Sequence, residues 1–175
     1  MRKITVVVCA VLCFGLAGID VASAQDEKED PPCSDAEYSQ FDFWVGEWRV
    51  TDPNGEFQGT NRIEKILDGC ALQENWTGAQ GTRGHSYNAF AKRRGIWHQT
   101  WVDSNGTVLL LDGGFQEGKM VLTGQTPSRD GKGIVLHEIS WEEMADGRVR
   151  QIWRISRDDG STWIDAFIGL YTREK

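Results

Sequence analysis

The chain has 175 residues, carries 19 Lys and Arg against 26 Asp and Glu, and has a formal net charge of −7. That length supports one domain with a real core. An acidic chain without a basic stripe excludes nucleic acids and anionic membrane surfaces as partners.

Residues 1–24 read as a secretory signal. "MRK" is a short positive start, "ITVVVCAVLCFGLAGI" an apolar run, and "ASA" (Ala22 to Ala24) a small-residue cleavage site before Gln25. The run is short for a membrane span of ~20 residues, so the mature protein is expected to be periplasmic or secreted, with no membrane attachment. Only Cys33 and Cys70 remain after Ala24, and two thiols in an oxidising compartment suggest one disulfide. Residues 25–33 form a charged, Pro-bearing stretch that reads as a flexible acidic leader, and the folded domain is expected over 34–175. Ser34 is placed to N-cap a short helical turn over "DAEYSQF".

After that turn the chain is a series of short runs separated by hairpin signals: "DPNG", "DG", "GAQGTRG", "RRG", "SNG", "EG", "SRDGKG", "ADG" and "DDG". Nine turns separate ten strands. The expected fold is all-β, a ten-stranded antiparallel up-and-down barrel, since closure removes exposed strand edges.

Alternation along the strands assigns their faces. In "RVRQIWRIS", Arg148, Arg150 and Arg154 belong in water, which turns Val149, Gln151, Trp153 and Ile155 inward. "CALQENW" sends Cys70, Leu72, Glu74 and Trp76 inward, and "IWHQTWVD" sends Trp97, Gln99, Trp101 and Asp103. Trp44, Trp48 and Val50 of the first strand join them, as does Asn61 of the second. Strands over 134–141 and 162–173 are ambiguous by alternation. Indoles and polar groups thus share one interior. Burying one unpartnered polar group costs roughly 1–3 kcal/mol, so the interior holds either a closed hydrogen-bond network or a wet cavity. An aromatic wall with a few orienting polar groups is the usual make-up of a small-molecule site.

"GEW" (Gly46 to Trp48) opens the first strand as the Gly-x-Trp element does in lipocalins. In that family the Trp packs at the closed barrel end beneath an Arg from near the C-terminus, the position Arg173 could fill. More fully, "FDFWVGEW", "GTNRIEKILDGCALQENW", "WHQTWVD" and "RQIWRISRDDGSTW" resemble an uncharacterised family of secreted, lipocalin-like calycin domains over nearly all of residues 39–173. The resemblance implies the barrel, with the short N-terminal helix closing one end, and carries no established activity. Ten strands suit the fatty-acid-binding or nitrobindin side of the superfamily. Nitrobindin-like domains hold haem through a His near the chain's end, but the last His here is His137, so no cofactor is expected. In a meander the "LDG" turn before Cys70 returns to the end where Cys33 enters, which makes the two cysteines neighbours.

"SRDDGSTW" fits the Asp-box pattern and reads as a turn stabiliser: Asp158 accepts turn N–H groups, Gly160 supplies a positive φ, and Trp163 packs beneath. His85, His98 and His137 stand on different strands, and the turn acids Asp52, Asp103, Asp130, Asp158 and Asp159 read as solvated, so no metal site is expected. The expected function is non-covalent binding of a small, partly apolar ligand, with contact area from Trp76, Trp97, Trp101 and Trp153. Asn61, Glu74, Gln99 and Gln151 would orient its polar atoms. One rival is an enzyme using Glu74 as general acid or base. The other is a structural or interaction domain with a filled core.

Overall fold

The computed structural model describes residues 31–174. The signal segment and residues 25–30 of the leader lie outside the described residues. Ten strands alternate with tight turns: β1 Gly46–Thr51, β2 Phe57–Ile66, β3 Ala71–Gly78, β4 Arg83–Ala91, β5 Ile96–Asp103, β6 Val108–Gln116, β7 Lys119–Pro127, β8 Ile134–Glu143, β9 Val149–Ser156 and β10 Ile164–Arg173. Each pairs antiparallel with its sequence neighbour, and β1 also pairs with β10, closing the barrel. At the seam Trp48 lies opposite Arg173 and Val50 opposite Tyr171.

The turns at one end are built alike. Asp52 accepts N–H bonds from Asn54 and Glu56 (2.9 and 2.8 Å), and Asp103 accepts them from Asn105 and Thr107 (2.8 and 3.0 Å). Each carboxylate replaces a backbone partner that the bend removes. The β9–β10 turn adds side chains: Asp158 accepts from the Thr162 N–H (2.8 Å), the Thr162 hydroxyl (2.6 Å) and the Ser156 hydroxyl (2.8 Å), which pulls its pKa down to about 2. Gly160 there has φ +87°, where a side chain is strained. Trp163 flanks this turn, with the Arg154 guanidinium 5.7 Å from its ring centre.

The opposite end is plugged by the N-terminal segment. Instead of one turn of helix it forms two short 3-10 turns, Ala36–Ser39 and Asp42–Trp44. Ser34 is not the cap: Asp35 occupies that position, without a side-chain capping bond. Trp44 therefore belongs to the plug rather than to the first strand, and Phe41 stacks on it with ring centres 4.8 Å apart. Phe41 also meets Trp97 and Trp141 edge-on. These four rings and Trp48 are essentially without solvent contact, and removing one such ring typically costs about 3–5 kcal/mol. The Trp48 indole N–H donates to the Trp44 carbonyl (2.8 Å). On its other side the Arg173 guanidinium lies 4.3 Å from the ring centre and donates to the Val45 carbonyl (3.0 Å). Glycine suits position 46, whose φ of +147° strains a side chain, and a Cβ there would stand 2.3 Å from an Arg173 nitrogen and displace the guanidinium from this contact. The Cys33–Cys70 disulfide ties the plug to the β2–β3 turn.

The two ambiguous strands resolve for physical reasons. On β8, Val135, His137, Ile139 and Trp141 are buried, whereas exposed Ile134 and half-buried Leu136 blur the pattern from outside. On β10 the pairing with β9 shifts between Asp165 and Phe167, so one extra residue breaks the period of two before Gly169 and Tyr171 turn inward.

Candidate functional site

Above the aromatic floor the barrel is hollow. An inner cavity of about 280 Å3 is walled by Trp76, Trp101, Trp141, Trp153 and Phe167, with Leu109 and Ile139 on the β6–β8 side. It adjoins an outer compartment of about 580 Å3, sharing Thr107, Leu109, Trp153 and Ala166 with it, that opens among the turns at 128–133 and 157–163. The sequence expectations divide here. Glu74, Trp76, Gln99, Trp101, Gln151 and Trp153 line the inner cavity, and Asp103 sits at its rim end. Trp97 and Asn61 face inward but do not line it. The plug covers Trp97, whose indole N–H donates to Gln40 (3.1 Å), and Asn61 lies behind Glu74.

The polar side chains form one belt around half of the interior. Glu74 on β3 accepts from the Asn61 amide of β2 (2.7 Å) and the Ser86 hydroxyl of β4 (2.6 Å). Ser86 accepts in turn from Asn88 (2.9 Å), and Asn88 accepts from the Gln99 amide of β5 (2.7 Å). In the other direction Asn61 donates weakly to the Tyr171 hydroxyl of β10 (3.4 Å), which donates to Gln151 on β9. The other half, on β6 to β8, is apolar at the level of the inner cavity: Leu109, Leu111, Leu122, Ile139 and Trp141 are all buried. A network and a cavity therefore coexist. Most of the belt satisfies itself, while Glu74, Gln99, Gln151 and Tyr171 also border open space.

Glu74 is 5% exposed, and burial lifts its pKa from the ordinary 4.5 to about 7 against the opposing hydrogen bonds from Ser86 and Asn61. Tyr171 is pushed well above its usual value, by burial first and then by the Glu74 charge. Asp103 goes the other way: burial raises it, but the Thr107 and Asn105 N–H groups outweigh that and hold it low. Glu74 is thus the one acid of the inner wall not spent on a turn. Among the described residues no cluster of three His, Cys, Asp or Glu could hold a metal ion.

Ser86, Asn88, Tyr171 and His137 are site residues that alternation did not reveal. His137 proves to be interior: Trp153 donates its indole N–H to Nδ1 (3.1 Å), which leaves Nε2–H facing the Thr126 hydroxyl (2.8 Å). Burial, and next the Arg157 charge, lower its pKa below 6.5. The signal for Ser86 and Asn88 was register: they lie directly opposite Glu74 and Gln99 across the β3–β4 and β4–β5 pairs.

Two glycines keep the cavity open. A Cβ on Gly84 would stand 2.2 Å from the Trp101 ring, and one on Gly59 would stand 2.8 Å from the Trp76 ring. Each indole lies flat against the wall only because nothing projects there. Gly84→Ala should push Trp101 into the cavity at a stability cost of about 1–3 kcal/mol, with the barrel retained. Far-UV circular dichroism and tryptophan emission check this, and an unchanged emission spectrum would mean that the indole does not define the wall.

Among the described residues no helix is long and apolar enough to cross a membrane. Neither a protein-family model nor a curated protein matches this sequence.

Proposed function

We propose that the protein is an exported, lipocalin-like binding domain that holds a small, partly apolar molecule inside its barrel without covalent chemistry. The observation that carries this reading is the inner cavity, with indoles on its walls and a hydrogen-bonded polar belt along one side. A cavity near the lower end of the size range of ligand sites suits a molecule of on the order of ten non-hydrogen atoms. Export rests on the signal-like segment 1–24 and accords with the disulfide. The lipocalin-like kinship rests on the Gly-x-Trp element, the Trp48–Arg173 stack and the meander order.

The raised pKa of Glu74 also suits a general acid or base. Binding is preferred because Asn61 and Ser86 hold Glu74 in place, the Ser86 hydroxyl does not itself line the cavity, and among the described residues no second acid free of a turn lines it. Native mass spectrometry and tryptophan emission across a small-molecule library test the proposal. One-to-one adducts with a saturable emission change are expected. Absence of adducts together with unchanged emission would mean a filled core and a structural role.

A further inference from the structure

The inner cavity is charged on one side only. Its lining includes the carboxylates of Glu74 and Asp103, and among the described residues no Lys, Arg or His lines it. Asp103 is neutralised in effect by the turn N–H groups of Asn105 and Thr107. Glu74 receives one neutral donor on each oxygen, from Asn61 and Ser86. A carboxylate has about four acceptor positions, so roughly two remain open on a group that borders the cavity. Four indoles surround the same space, and the face of an indole attracts a cation.

We propose that this cavity selects an organic cation: a primary amine with a compact apolar body, its ammonium on the Glu74 carboxylate and its body among Trp76, Trp101 and Trp153. The inference deepens the binding reading above and rests on it. A buried carboxylate without a cationic partner is costly, and an ammonium supplies both the missing charge and donors for the open positions. A carboxylate ligand meets the reverse: repulsion from Glu74 and no cation to offset it. Arg129 and Arg157 line only the outer compartment, where solvent screens them.

Isothermal calorimetry on the oxidised protein at pH 8 tests the selection. Butylamine, phenethylamine and tryptamine are each compared with the alcohol and the carboxylate of the same skeleton. At least one amine is expected to bind about tenfold or more tightly than its alcohol, the margin of a charge-assisted bond, with its carboxylate undetectable. Glu74→Gln is expected to erase that margin by bringing the amine's affinity down to that of its alcohol. A second arm needs no variant. Between pH 8 and 6.5 Tyr171 stays protonated and Asp103 stays ionised, while His137, which lines only the outer compartment, stays mostly neutral. Protonation of Glu74 should therefore weaken the amine about fourfold, a larger loss than its alcohol suffers.

Alcohols or carboxylates that bind as tightly as amines would overturn cation selection and leave the binding cavity standing. So would an amine preference that survives Glu74→Gln. No saturable heat from any member of the panel would overturn both.

Discussion

Glu74→Gln is expected to make the protein more stable at pH 8 and to change little at pH 4. The folded state holds the Glu74 proton up to about pH 7, whereas the unfolded chain releases it near 4.5. Between those values the folded state binds more protons, so this group's contribution to stability falls as pH rises through the window and then levels off. The displacement corresponds to about 3 kcal/mol at pH 8. Gln removes the charge and keeps the shape. Its carbonyl still accepts from Ser86, and once the Asn61 side-chain amide turns over, the new amide can donate to the Asn61 oxygen, which is buried without a partner beside Glu74. A rise in Tm of roughly 5–10 °C at pH 8, shrinking to nothing by pH 4, is the usual scaling for a domain of this size. Thermal melts of both proteins across that pH range check it. Equal melting at pH 8 would mean that Glu74 bears no desolvation cost, and the electrostatic account of the cavity would go with it. The destabilising acid is a common mark of a functional position, where stability is given up for an interaction made only with a ligand.

Breaking the disulfide should have an effect of similar size and opposite sign. Cys33 and Cys70 are 37 positions apart, and the chain-entropy model assigns about 4 kcal/mol to closing such a loop. The crosslink acts on the plug, whose apolar contacts through Phe41 and Trp44 are made by residues inside the same loop. The surface ion pairs nearby, Asp35–Lys92 and Asp42–Lys65, are exposed and contribute little. Replacing both cysteines with Ser is expected to lower the folding free energy by about 4 kcal/mol, with secondary structure preserved in the absence of denaturant. Urea titrations of the variant, and of the native protein with and without reductant, measure it. A midpoint unchanged in all three comparisons would show that packing alone seats the plug.

Much of the barrel was legible because its turns are spelled out chemically. An Asp followed by Gly at the end of an apolar run marks a bend that few other sequences make as well. Strand faces were legible where one side carried charge, as Arg148, Arg150 and Arg154 do on β9. They were not where a bulge interrupted the period, as on β10, or where the outer face was itself apolar, as on β8. The site was half legible for a related reason. Gln99 stands out because a polar group between two tryptophans is anomalous, and Glu74 because it shares a face with Leu72 and Trp76, whereas Ser86 and Asn88 sit in "GHSYNAF", where Tyr87 is the residue that looks buried. Tyr87 is in fact 55% exposed. Its neighbours take the interior because pairing with β3 and β5 fixes their direction, and pairing is a relation between distant segments. The covering of Trp97 by the plug is likewise a tertiary event that no local pattern announces.

The division of the lumen into a polar arc on one flank and a greasy arc on the other has a consequence for handedness. A guest anchored at Glu74, with a second contact at Gln151 and its hydrocarbon portion directed toward Leu109 and Ile139, is held at three points that are not in line. On the binding mode proposed above, two mirror-image guests could not both meet all three, so the chamber would choose between them. A branched guest with a stereocentre beside its nitrogen would be sorted by the same walls that admit it.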